Sequence, residues 1–167
     1  MRKSAKNLLL ATVGLTLSQA APADEEPALL VSTQRLTLEV ATSIAQGAVA
    51  ACREQGIQIA ATVVDREGTV QVVLRDTIAA PITVPISRQK AFTAVNFNAA
   101  TSQLSDRADT PIGRIDGLVM AADGLAIQVG GQLVGGIGVS GAPSGKTDEA
   151  CAQAGIDKVI DDLEMSM

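Results

Sequence analysis

From Leu38 to Gln55 apolar and small residues return every three or four positions, at Leu38, Ala41, Ile44/Ala45, Ala48 and Cys52. That is the period of one helix face, so the spacing predicts an α-helix with Cys52 on its buried side. Thr37 is placed to cap its start and Gly56 to end it. The period then changes. Ile57–Asp65 (IQIAATVVD) and Thr69–Arg75 (TVQVVLR) are rich in β-branched residues and flank Arg66-Glu67-Gly68. They predict two antiparallel strands joined by a turn.

Pro81 and Pro85 argue that residues 76–86 join neither a central strand nor a helix. Ser87 is the expected cap of a second helix reaching Ala100. On it Lys90, Ala94, Phe97 and Thr101 share one side, and Arg88, Phe92, Val95 and Ala99 another. Residues 102–122 are mixed, with a short helix expected at Ser102–Arg107 and a loop around Pro111-Ile112-Gly113. Leu125–Gly141 reads as a second hairpin turning at Gly130-Gly131. Its glycines at 135, 136 and 138 suit a place where another backbone, a helix or a flat ligand comes close. Thr147 then caps a last helix burying Cys151, Ala154/Gly155, Val159 and Leu163. The order α-β-β-α-loop-β-β-α predicts one α+β domain over residues 36–164, a mostly antiparallel sheet with helices packed on it.

The start of the chain has a different pattern. Arg2, Lys3 and Lys6 precede the apolar run Leu8–Leu17, and Ala21-Pro22-Ala23 supplies small residues for cleavage. Residues 1–23 therefore read as a secretory signal peptide, cut after Ala23 or Ala20, with a membrane anchor as the alternative. Residues 24–35 read as an acidic flexible tail. The expected location is periplasmic or secreted, with no membrane association once the leader is gone.

Composition sharpens this. Of 167 residues 47% are apolar, yet the chain has two Phe and no Trp, Tyr or His, so the core must be aliphatic. All 18 acids lie from Asp24 onward, whereas three of the 13 bases fall in the leader; the mature chain carries ten bases, a net −8. That balance argues against nucleic acid as a partner. Half of those bases (Arg75, Arg88, Lys90, Arg107 and Arg114) cluster in residues 75–114 with both phenylalanines. A cationic rim over an apolar floor suits a flat ligand with carboxylate tails, between helix 87–100 and the glycine-rich strand.

Catalytic residues are thin. No imidazole is present to activate a serine and no G-x-S-x-G turn occurs. The glycine run 136–141 lacks the Lys-Ser/Thr of a phosphate loop. Without His, no metal site is expected. Asp65, at a strand end, suits turn capping or proton transfer; Arg75-Asp76 suits a surface pair or ligand contact. Cys52 and Cys151 would close a loop of about 100 residues, worth about 4 kcal/mol, if bridged. Two buried free thiols are the alternative.

Four blocks, VVDREGTVQVVLRD (63–76), SRQKAFTA (87–94), GGQLVGGIGVSGA (130–142) and DEACAQAG (148–155), resemble the GlcG/HbpS-like family of haem-degrading or haem-binding domains in order and spacing. The resemblance covers residues 34–163. It implies a five-stranded antiparallel sheet flanked by helices, assembly into homo-oligomers, and binding of haem or related tetrapyrroles by some members. It also implies that Arg75, Asp76, Lys90 and Thr93 occupy recurring polar positions, and that Cys52 and Cys151 stand where exported members carry cysteines. One departure is visible. Many relatives carry a histidine before this helix, where this chain has Ile82. With no His or Tyr as iron ligand, Met120, Lys90, a threonine hydroxyl or a reduced cysteine would have to serve, and haem would be held weakly by apolar contact and propionate–cation pairs.

The ligand site expected is thus Arg75, Asp76, Arg88, Lys90, Thr93, Phe97, Gly136 and Gly138. Two other readings stand beside it. One is an enzyme or accessory protein acting on a small organic acid, with Asp65 or Asp76 as proton carrier and Arg75 or Lys90 as carboxylate clamp. The other is a structural oligomer.

Overall fold

The helical spacing of residues 38–54 is realised in α1 (Leu38–Glu54), in a computed structural model that describes residues 29–167. The predicted leader lies outside the described residues, as does the start of the acidic tail. Thr37 caps α1, its hydroxyl accepting the Val40 N–H at 3.3 Å, and Gly56 leaves the helix at φ +72°. The buried stripe is Ala41, Ile44, Ala45, Ala48, Val49 and Cys52.

The two predicted hairpins form β1 (Ala60–Asp65) with β2 (Val70–Arg75), and β3 (Gly124–Val129) with β4 (Gln132–Ser140). They join through an antiparallel β1–β4 pairing into one sheet of order β2-β1-β4-β3. β1 is central and buried along its length, as its run of Ala and Val allows. β1 and β2 slip register at one point. Val63 faces Val72 and Val64 faces Val70, so Gln71 is bulged and its amide donates to Leu36 O at 2.9 Å.

α2 (Thr83–Phe97) covers one face of the sheet; α1 and α3 (Gly145–Asp157) cover the other. The main core lies on the α1/α3 side, where Ile44, Ile59, Val63, Ile127, Ile137 and Val139 meet. A smaller cluster of Val64, Ala91 and Val95 lies beneath α2. Cys52 and Cys151 are bonded, joining α1 to α3 with Cα atoms 5.6 Å apart. Of the two cysteine states the sequence left open, the bridge is the one found. No helix among the described residues is long and apolar enough to cross a membrane.

Several boundaries differ from expectation. The sheet has four strands, not five. Residues 98–123, which hold Pro111, Gly113 and Gly117, fold as 3-10 turns at Thr101–Arg107 and Pro111–Arg114 and as irregular chain, and supply no further strand. α2 starts at Thr83 rather than Ser87. Pro85 sits in its first turn, where a missing N–H costs no intrahelical bond. Ser87 is an interior residue whose hydroxyl bonds Val84 O at 2.9 Å and Thr62 Oγ1 at 2.8 Å. The helix ends early, at Asn98 in the left-handed region (φ 47°). Ser144, not Thr147, caps α3, and a break after Asp157 separates it from α4 (Ile160–Met165).

Candidate functional site

Along α2 the positions turned to the sheet are Thr83, Ser87, Lys90, Ala91, Ala94 and Val95. The opposite stripe, Val84, Arg88 and Phe92 with Pro85 and Gln89 beside it, repeats at four-residue spacing and faces outward. Asp116 and Gly117, from the long segment after α2, rise against this stripe and close a cleft of about 490 Å³. Two threonines fasten that wall. Thr93 Oγ1 donates to Gln89 O and accepts the Val119 N–H at 2.9 Å, and Thr101 Oγ1 accepts the Gly124 N–H at 2.9 Å. The Phe92 ring lies on the β1–β2 turn, where a Cβ added to Gly68 would come within 2.6 Å of it. Arg88 is exposed and has no ion-pair or hydrogen-bond partner among the described residues.

The expected site residues do not assemble as one group. Only Arg88 lines this cleft. Lys90, two positions on, points to the far side of α2, buried and paired through Nζ with Asp123 and with Val139 O at 3.4 Å. Burial pushes its ammonium below the usual lysine range, against the opposing pull of Asp148. Burial likewise pushes the Asp148 carboxyl up, countered by N–H donors from Ala142 at 2.9 Å and Gly141 at 3.2 Å. Lys90 is thus a structural cation and no part of a rim.

Gly136 and Gly138 are covered by α2. A Cβ at Gly138 would stand 2.6 Å from Ala91 N, and one at Gly136 2.6 Å from Val95 Cγ1. The backbone that comes close is the helix, and no space for a ligand remains there. Phe97 lies apart from the cleft lining, its ring 5.9 Å from the Arg107 guanidinium.

Arg75 and Asp76 stand in a separate hollow of about 560 Å³ between α1 and β2. The Arg53 guanidinium grips the Asp76 carboxylate at 2.6 and 2.7 Å and holds its pKa at about 2; the Thr77 N–H adds a bond at 2.8 Å. Arg75 Nη1 donates to Ala79 O. Asp65 closes the β1–β2 turn, accepting N–H bonds from Glu67 (3.0 Å) and Thr69 (2.8 Å), and meets Arg35 at 3.3 Å. It stands at the end of β1 opposite Ala60, the residue paired with Arg75. Neither aspartate is a free acid–base group, so the proton-carrier role expected of them has no geometry behind it.

The sequence pattern puts Phe92 on one helix side with Arg88 but does not single out Val84, Pro85, Gln89, Asp116 or Gly117. The four-residue stripe was the available signal. Starting the helix at Ser87 hid its first turn.

A family model described as haem degrading protein HbpS-like matches residues 36–157. The chain belongs to the HbpS-like family. It is similar to Streptomyces reticuli HbpS in the crystal structure of a double mutant, at 40% identity over 84% of this chain and 97% of that one, with a TM-score of 0.74. It is similar to PduOC, in the structure of a PduOC:heme complex, at 27% identity over 74% and 94% of the two chains, TM-score 0.69. Klebsiella pneumoniae protein ORFY shares the fold at 22% identity, over 80% and 97%, TM-score 0.74. No curated protein matches.

Proposed function

We propose that this protein binds haem or a related planar anionic tetrapyrrole in the cleft on the outer face of α2. The observation that carries the reading is the Arg88 guanidinium, without an ion-pair partner among the described residues, at the edge of an apolar wall made by Val84, Pro85 and Phe92. A volume of about 490 Å³ suits a small-molecule site. Phe92 offers a face for ring stacking, and Arg88 a forked donor for a propionate. The family membership and the haem complex of the relative PduOC support the ligand class.

The lining fits the macrocycle and its carboxylates. It holds no imidazole, phenol, thiol or thioether. Haem bound here would bring its redox-active iron; the chain's own residues would grip the ring and one acid tail. Export and homo-oligomeric assembly are part of the proposal and do not follow from ligand binding; the family resemblance implies the assembly. The leader pattern supports export, and a Cys52–Cys151 bridge suits an oxidising compartment.

Titration with hemin tests this. A saturable Soret shift is expected, weakened about tenfold by Arg88→Glu and by Phe92→Ala, whereas Arg114→Glu leaves it unchanged. Absence of a saturable shift, or one indifferent to both cleft substitutions, refutes the proposal.

A further inference from the structure

Among the described residues, the side chains expected from the sequence as haem-iron ligands all lie away from the cleft lining. His and Tyr are absent. Cys52 and Cys151 are consumed in the bridge on the opposite side of the sheet. Lys90 is paired with Asp123 beneath α2. The Thr93 hydroxyl is buried and already spends its donor on Gln89 O and an acceptor site on the Val119 N–H. Met120 is buried outside the lining, and Met165 and Met167 lie in and after α4. What remains in the lining is the Asp116 carboxylate, exposed and without a hydrogen-bond partner among the described residues, together with the Gln89 amide.

This donor set has a chemical signature. Arg88 donates to carboxylate. Asp116 accepts only, and Gln89 does both. A tetrapyrrole offers edge carboxylates to Arg88 and ring faces to Phe92, Val84 and Pro85 whether or not a metal sits at its centre. An iron ion adds nothing that the lining is built to hold. We infer that the cleft selects its ligand by the ring and its acid tails and is indifferent to the central metal, so that metal-free porphyrin is as good a ligand as haem. The inference rests on the proposed tetrapyrrole site and adds to it which part of the molecule is recognised.

Three ligands separate the possibilities: hemin, zinc protoporphyrin and metal-free protoporphyrin, each titrated into the full chain by absorbance and emission. Dissociation constants within about threefold of one another are expected, all raised by a common factor of about ten in Arg88→Glu. The spectrum of bound hemin should be the same in the wild-type protein and in Asp116→Asn. Hemin binding tighter than the metal-free ring by about tenfold or more would overturn the inference. So would an iron-ligation band that Asp116→Asn abolishes. Both outcomes leave the tetrapyrrole site standing. If none of the three ligands binds, the site itself falls and the inference with it.

Discussion

Lys90 and Asp123 form an ion pair beneath α2, both side chains less than a tenth exposed. Asp123 precedes β3 with a positive φ of 122°, so the pair joins the helix to the entry of an edge strand. Removing one member leaves the other buried without its counter-charge. Lys90→Met is expected to cost about 3–5 kcal/mol and to lower Tm by about 10 °C, read by thermal unfolding. Adding Asp123→Asn, which removes the orphaned charge and tolerates positive φ, should recover part of that loss.

Gly138 tests how closely α2 sits on the sheet. Gly138→Ala presses a methyl group against the α2 backbone at Ala91 N and is expected to cost about 2–4 kcal/mol. Gly131→Ala, at a turn with φ +78° and open space around it, should cost only about 1 kcal/mol. Chemical denaturation of both variants makes the comparison.

The bridge between Cys52 and Cys151 spans 99 residues of sequence, so it restricts much of the unfolded chain. Replacing both cysteines by alanine should lower stability by about 4 kcal/mol. Reductant should then have no effect on the unfolding midpoint of the variant while lowering that of the wild type.

Asp76 gives the acid limb a defined contribution. Its folded pKa of about 2 lies below its ordinary value of 3.8 because Arg53 holds the charged form. A depressed carboxyl adds stability that is complete above its unfolded pKa and is lost as pH falls from about 4 toward about 2. Asp76→Asn or Arg53→Ala should flatten stability against pH in that window and leave the slope near neutrality unchanged. Urea unfolding between about pH 2 and 6 reads it.

Both hairpins were legible because their signals are local: β-branched runs bounded by Gly68 and by Gly130-Gly131. The clustering of cations was legible too, and misleading. Arg88 and Lys90 are two residues apart, which on a helix is about 200° of rotation, so a shared stretch of sequence puts them on opposite sides of α2. One reaches the cleft and the other the core. Arg75 was drawn to the α1/β2 hollow by the end of β2, a consequence of strand pairing that no short window contains. The missing fifth strand had no signal of its own in residues 98–123 and came only from the family resemblance. The start of α2 was misplaced because proline was read as a breaker, although its position decides whether it breaks anything.

The threonine bonds have a consequence for how the cleft keeps its shape. The wall bearing Asp116 and Gly117 is registered to the helix through the hydroxyl of Thr93, while Thr101 fixes the far end of the same segment at Gly124. Helix and wall therefore travel together. The aperture between them is set by two short polar tethers on the opposite side of the sheet from the covalent clasp at Cys52.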